Sequence, residues 1–245
     1  MSAPFQGVKA LLLAGGFGTR LKPLTDRTPK CLVPIAGRPL LDYWLETLSE
    51  AGIDRILINT HYLSEQVADF CSNSPYRHLI DLTHENDLLG TAGTLRANRN
   101  YFDEKILLAH ADNFTLFDAK AFADSHSRRQ SHCMATMMTF TTDTPSSCGI
   151  VELNDEGVLI DFHEKVANPP GNKANAAVFL LEHSCLDWLD QKPEASDFCR
   201  DIVPLGIHKM QTFHNDIYHR DIGTPESFQQ ANLDYLQLIQ ARSTS

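Results

Sequence analysis

The sequence predicts an α/β fold: a Rossmann-like, mixed and mostly parallel sheet flanked by helices, with a small β-rich subregion in its second half. Three observations predict it. Val8 to Ala14 is a short apolar run of the kind a strand buried on both faces requires, and it empties into Gly15-Gly16-Phe17-Gly18. From there to about residue 130, short apolar runs alternate with segments of helical spacing, which implies parallel strands joined by right-handed crossovers. Beyond residue 130 the chain turns to short β-like pieces separated by turns such as Asn154-Asp155-Glu156-Gly157 and Asn168-Pro169-Pro170-Gly171.

The elements follow in order. After the glycine-rich loop, Leu40, Leu41, Trp44, Leu45 and Leu48 have helical spacing behind Pro39, and Gly52 supplies a stop. Ile53 to Asn59 reads as the second strand, 62–71 as a second helix and Leu79 to Thr83 as the third strand. A loop from Glu85 to Thr94 leads into a short helix, and Lys105 to Ala109 is the fourth strand, with Asp112 just beyond its carboxyl end. Cys133 to Thr142 opens the second half, followed by β-like pieces at 148–153, 157–164 and 175–182, a helix near 196–203, and β-like pieces at 207–213 and 216–221. Thr224-Pro225-Glu226 starts a last helix with an N-cap, a proline in the first turn and an acid at the positive helix end. Phe228, Ala231, Tyr235 and Ile239 form its expected buried stripe, and Ala241 to Ser245 a frayed tail.

Bulk properties exclude several classes. A chain of 245 residues holds one large α/β domain or two small ones, and with no repeat, linker or low-complexity segment the expectation is a single domain over 1–245. Hydrophobic content of 42% and charged content of 21% are those of a soluble globular protein. A formal net charge of −10 argues against a nucleic-acid polymer as partner. MSAPFQGVKA has no basic region followed by an apolar core, and the longest apolar run, Ala10 to Ala14, is too short for a bilayer, so the expected location is cytoplasmic with no membrane partner. The six cysteines form no CxxC pair and read as reduced, mostly buried thiols. The pairs His126/His132 and His214/His219 lack further ligands and read as surface or packing residues.

Chemistry enters at the carboxyl ends of the strands, where ligands collect in such sheets. Gly15, Gly16 and Gly18 leave backbone amides unobstructed, as an anion nest needs, and Arg20, Lys22 and Lys30 follow within a few residues. The P-loop spacing is absent, since no Lys-Ser or Lys-Thr follows Gly18. The dinucleotide spacing fails too, because Leu21 stands at its third glycine. By topology the loop from Glu85 and the carboxylate of Asp112 share the rim with the glycine loop. Taken alone, Asp112 sits where a metal-bridged phosphate could reach it, but an aspartate at a strand end is often only a turn or helix cap, and Asp221 reads as blandly.

The stretch from Leu13 to Thr25, followed by Pro29-Lys30, Pro34, Gly37 and Pro39, resembles the opening LAGGxGTRLxPLT…PKxxxPxxGxP of nucleotidyltransferases that join a nucleoside triphosphate to a sugar 1-phosphate. Further segments match in order: Glu85 with LLGTAG, Asp112, Phe162-His163-Glu164-Lys165, Gly171-Asn172-Lys173-Ala174-Asn175 and Asp221-Ile222-Gly223-Thr224-Pro225, so that the resemblance covers roughly residues 8–235. The nearest likeness is to mannose-1-phosphate guanylyltransferases. Val166 replaces a usual proline and Ala177 a usual glycine.

The resemblance implies the following. Residues 1–130 form the nucleotide-binding half, 131–223 the β-rich sugar-binding half, and 224–240 the terminal helix. Leu13, Ala14, Gly15, Gly16, Gly18, Thr19, Arg20 and Lys30 meet the triphosphate, with Arg20 on the β/γ-phosphates and Lys30 on the α-phosphate. Glu85, Gly90, Thr91 and Ala92 meet the base, and a carboxylate suits the two donors of guanine, which favours GTP. Asp112 and Asp221 hold Mg2+ or Mn2+, for which one or two carboxylates suffice. Asn113, Gly149, Glu164 and Asn175 surround the sugar, and Lys165 meets its phosphate. The partners are thus a nucleoside triphosphate and a sugar 1-phosphate. Two alternatives stay open: uridylyl or thymidylyl transfer to glucose or an amino sugar, and a catalytically silent regulator that binds nucleotide-sugars. No hexapeptide repeat suggests a left-handed β-helix, and a monomer or homodimer is expected.

Overall fold

The computed structural model describes residues 3–243. Its first strand, β1 (Val8–Leu13), is apolar at every position but Lys9 and buried at every position but that one. A leucine side chain moved from water into such a place contributes about 1.5–3 kcal/mol, which explains why this strand sits at the middle of the sheet. The chain then makes three tight turns and a short hairpin, β2 (Pro34–Ile35) with β3 (Arg38–Pro39), before helix α1 (Leu40–Glu50). β4 (Arg55–Thr60) pairs parallel with β1, and after α2 (Ser64–Asn73) β5 (Ile80–His84) pairs parallel with β4. α3 (Gly90–Ala97) crosses back, and β6 (Lys105–His110) joins the other edge of β1, again parallel.

Two elements without a sequence expectation follow. β7 (Asn113–Leu116) leaves the main sheet, and α4 (Ala119–Ser127) is capped by Asp118, whose Oδ1 accepts from the Ala121 amide at 2.9 Å. β8 (Ala135–Thr141), β9 (Gly149–Leu153), β10 (Leu159–Glu164) and β11 (Lys173–Leu181) are joined antiparallel, and β11 attaches them to β6. The sheet order is β10-β9-β11-β6-β1-β4-β5 with β8 beside β11, so the mixed, largely parallel sheet is continuous across both halves. A short helix α5 (Asp187–Gln191) precedes the segment expected as a helix near 196–203. That segment is a single wide turn, Phe198–Ile202, followed by a tight one, Val203–Gly206. Asp197 and Asp201 spend their carboxylates on local amides there, which favours turns over a regular helix. β12 (Met210–His214) pairs with β8, and β13 (Tyr218–Asp221) pairs with β7 in a separate two-stranded ribbon.

α6 (Pro225–Ser243) closes the chain. Ala231 is buried and Phe228 and Tyr235 are half-buried, packing on Ile35, Tyr43, Phe114 and Ile222, but Ile239 is 43% exposed and does not belong to the stripe expected of it. The first half of α6 is also fixed by polar contacts: Asn232 accepts from the Ala36 amide at 2.8 Å and Asp234 from the Tyr218 hydroxyl at 2.8 Å. The tail expected to fray lies partly in the last turn of α6 and otherwise outside the described residues. All six cysteines are free, and five are buried. Among the described residues there is no left-handed β-helix, and no helix is long and apolar enough to cross a membrane.

Candidate active site

The glycine loop leaves β1 at the sheet's carboxyl rim. The Ala14 amide donates to Asn59 Oδ1 at 2.7 Å, which fixes where the loop begins. A Cβ on Gly16 would meet nothing within 4 Å, so this backbone is open to an approaching ligand. Gly18 is different: its φ of 62° and the Thr25 methyl 2.8 Å from a Cβ position admit only glycine. Phe17 rests edge-on against His61, with ring centres 5.2 Å apart.

Four charged residues from three separate stretches of the chain converge beside this loop. Lys30 is only 7% exposed, and its Nζ donates to Asp112 Oδ2 at 2.8 Å and to Asp221 Oδ1 at 3.2 Å. Arg20 lies 3.6 Å from the other oxygen of Asp221. The convergence is topological: Asp112 follows β6, and the pairing of β13 with β7 sets Asp221 opposite Asn113. Burial opposes both charges of the inner pair. For Lys30 the two carboxylates outweigh burial and hold the ammonium above its ordinary pKa. For Asp112 the Lys30 charge outweighs burial and holds the carboxyl below its ordinary value. Gly223 is packed under Arg20, whose Nη2 would lie 2.7 Å from a Cβ there. His219, on the face of β13 that carries Asp221, shares a 2.8 Å hydrogen bond with Thr115 and packs against Phe140 in a tilted contact with ring centres 4.2 Å apart, and burial pulls its pKa down to about 3.

Two carboxylates within hydrogen-bonding reach of one ammonium form an oxygen-donor set already aimed at a cation. The chemistry of that set fits a hard divalent ion. A second cluster, Glu152, Asp161 and His163, lies on the β9–β10 hairpin and includes neither Asp112 nor Asp221.

The second-half residues stand on that hairpin and on β11. Gly149 faces Glu164 across the ladder, and a Cβ on it would lie 2.5 Å from both Glu164 Oε2 and the Phe162 ring. Lys165 adopts a φ of 52°, and its exposed ammonium lies 3.5 Å from Glu164 Oε1. Asn175 is held by its own strand: its Oδ1 accepts from the Ala177 amide at 2.8 Å and its Nδ2 donates to Cys199 Sγ at 3.3 Å. Asn113 is buried in β7. A cleft of about 1000 Å³ joins Arg20, Asp221 and Lys165 and continues past Thr142, Asp143 and Arg220 to the start of α6. Glu164 and Asn175 do not line it.

The loop after β5 turns its polar groups inward. Glu85 is 5% exposed, and its carboxylate accepts from Thr94 Oγ1 at 2.5 Å, from Asn59 Nδ2 at 3.1 Å and from the Leu89 amide at 3.1 Å. It is an internal member of the loop rather than a side chain presented to solvent. Gly90 has a φ of 73° and packs so closely that a Cβ would lie 2.3 Å from the Ser196 carbonyl. The Ala92 amide donates to that carbonyl at 3.0 Å, and Thr91 Oγ1 accepts from the Phe198 amide at 2.6 Å, so both fasten α3 to the turn after α5. The sequence expectation gives Asn59 and Arg220 no site role and reads His219 only as a surface or packing residue. Their positions depend on strand register, and only the HRD run before Ile222 hinted at charge gathered on β13.

A family model described as nucleotidyl transferase matches residues 9–238. The mannose-1-phosphate guanylyltransferase catalytic subunit beta of Drosophila melanogaster is 29% identical, over 97% of this chain and 65% of its own length. The mannose-1-phosphate guanyltransferase of Debaryomyces hansenii is 31% identical, over 95% of this chain and 66% of its own. The chain thus spans about two thirds of the length of these curated relatives. Among solved structures, a Bacillus anthracis protein described as a glucose-1-phosphate thymidylyltransferase superposes with a TM-score of 0.81 at 20% identity, covering 92% of this chain and 94% of that one, a likeness of fold.

Proposed function

The chain belongs to the nucleotidyl transferase family, and from that membership we propose that it transfers a guanylyl group from GTP to mannose 1-phosphate or a related hexose or heptose 1-phosphate, releasing pyrophosphate. The observation that carries this reading is the convergence of Arg20 and Lys30 on Asp112 and Asp221 beside an open glycine loop. GTP and mannose are favoured because the curated relatives described above are mannose-1-phosphate guanylyltransferases.

The nucleophile is an oxygen of the sugar phosphate, largely deprotonated at neutral pH because its second pKa is near ~6. No general base is needed, so the task is positioning and charge neutralisation. Residues of the first half, 1–130, hold the nucleotide: the loop amides from Gly15 to Thr19 cradle the phosphates, Arg20 meets the β- and γ-phosphates, and Lys30 meets the α-phosphate. Asp112 and Asp221 would hold Mg2+ or Mn2+, which supplies further neutralisation of the phosphates when bound. Residues 131–223 hold the acceptor. Lys165 draws in its phosphate, and the Glu164, Gly149 and Asn175 cluster faces the sugar.

Pyrophosphate release across five nucleoside triphosphates and a panel of sugar 1-phosphates tests the reading. The expected result is selectivity for GTP with a manno-configured acceptor. A preference for UTP or dTTP replaces the guanine assignment with uridylyl or thymidylyl transfer, and nucleotide-sugar binding without turnover of any pair indicates a silent regulator.

A further inference from the structure

One buried relay connects the two loops that this functional reading assigns to the nucleotide. Asn59 is the penultimate residue of β4, between β1 and β5, in register with Leu13 on one side and Thr83 on the other. Its carboxamide faces both neighbours. Oδ1 accepts from the Ala14 amide, where the glycine loop begins, at 2.7 Å. Nδ2 donates to Glu85 Oε1, where the second loop begins, at 3.1 Å. Glu85 carries the connection onward through Thr94 Oγ1 and the Leu89 amide, and the backbone is tied down as well, since His61 Nδ1 donates to the Glu85 carbonyl at 2.8 Å. Asn59, Glu85 and Thr94 are each at most 5% exposed. The glycine loop lies directly on this relay, for a Cβ on Gly15 would be 2.9 Å from Asn59 Nδ2.

We propose that Asn59 and Glu85 are a pair of positioning residues that sets the triphosphate loop and the 85–92 loop at a fixed separation, so that both ends of one nucleotide are held by a single hydrogen-bonded unit. The inference rests on the nucleotidyltransferase reading for what the loops bind. Its physical basis is polarity. A buried carboxylate requires donors, and the Asn59 carboxamide gives a donor to Glu85 while giving an acceptor to Ala14. Loop placement of this kind governs how well a bound substrate is aligned, and small misplacements cost much rate or affinity.

The polarity of the relay can be reversed without changing its charge. Asn59→Asp alone keeps the acceptor for Ala14 but sets two carboxylates face to face. Glu85→Gln alone must turn its amide nitrogen either toward the Asn59 amide or toward the Leu89 amide, so one donor faces another in either orientation. Together they restore every bond: the new carboxylate at 59 accepts from Ala14 and from the new amide at 85, which also donates to Thr94 Oγ1. The Thr94 hydroxyl then donates to the Gly90 carbonyl, already 3.0 Å away, and the remaining oxygen at 85 accepts from Leu89.

The test compares wild type, Asn59→Asp, Glu85→Gln and the double variant by steady-state kinetics with the preferred substrate pair. It adds calorimetric binding of that nucleoside triphosphate without acceptor, and thermal unfolding. Each single variant is expected to raise the nucleotide KM and Kd about ten- to hundredfold with kcat changed less than about threefold, and the double variant to return within about threefold of wild type. Singles that bind as wild type, or a double variant no better than its worse parent, overturn the proposal. So does a base preference that shifts with Glu85→Gln and stays shifted in the double variant, because the carboxylate then reads the base itself. Should both singles fail to fold, Thr94→Val, which removes one donor to Glu85, is expected to raise the nucleotide KM with kcat unchanged; an unaltered KM overturns the proposal. A wild-type protein that neither binds nor turns over any nucleoside triphosphate overturns the functional reading as well, whereas failed rescue in an active enzyme overturns this proposal alone.

Discussion

Lys30 shows how a single residue ties fold to chemistry. Its charge is tolerated in the interior because Asp112 and Asp221 both accept from it, and those acceptors are the oxygens a divalent ion would need. Asp112→Asn is therefore expected to reduce pyrophosphate release by about 100-fold or more while the unfolding temperature stays within a few degrees, because Asp221 still pairs with Lys30. Near-normal turnover would remove the metal-holding role. Ala177 carries a different lesson. It occupies φ 53°, where the ladder between β11 and β8 shifts register, and stands where relatives by resemblance use glycine. An L-residue there costs about 1–2 kcal/mol, so Ala177→Gly should cost at least about 1 kcal/mol less than Ala176→Gly beside it, a contrast readable from urea denaturation. The glycine loop, Arg20 and Lys30 were legible in the sequence because they lie within one contiguous stretch whose spacing survives as a pattern. Asn59 was not, since its task is set by which atoms β1 and β5 bring to either side of it.

Elements were legible where periodicity was strong and unopposed. β1, α1 and the run to β6 emerge from apolar spacing alone, whereas α4 carries only Phe122 and His126 as fully buried side chains and was passed over despite its Asp118 cap. His126 nonetheless fastens α4 to the sheet, sharing a 2.9 Å hydrogen bond with Thr136 on β8 and donating to Glu182 at 3.2 Å. Burial first, and then the neighbouring Arg129 and Lys105 charges, lower its pKa against the opposing pull of Glu182. The folded protein thus refuses a proton that the unfolded chain accepts below about pH 6.5, so stability falls as pH falls below that value, by up to about 1.4 kcal/mol per pH unit from this group. His126→Gln should flatten the loss between pH 6.5 and 5, measured as urea-unfolding free energy. An equal slope in both proteins would assign the acid limb to other groups. The docking of α3 gives a second test at this scale. Gly90→Ala would drive a methyl into the Ser196 carbonyl at a positive φ, with an expected loss of about 1–3 kcal/mol in denaturant stability and a raised nucleotide KM.

At the scale of the molecule, the sheet assembles a site that neither half contains. Chelation with EDTA is expected to abolish pyrophosphate release and excess Mg2+ to restore it; turnover that survives chelation would contradict the pairing of Asp112 with Asp221 around a metal. The fold class was readable because alternating strands and helices admit few topologies. The ribbon of β7 with β13 was not, and it is this ribbon that sets Asp221 opposite Asn113. That late delivery has a consequence for the growing chain. Lys30 and Asp221 are 191 residues apart, which at 5–20 residues per second is roughly 10–40 s of synthesis. In the later part of that interval, once β6 has been made, the nascent polypeptide carries its glycine loop and the parallel strands β1, β4, β5 and β6, yet lacks the second carboxylate. Chains truncated before residue 221 should release no pyrophosphate, whereas chains that extend through β13 and α6 should; release from a chain lacking residue 221 would remove that carboxylate from the metal-holding role.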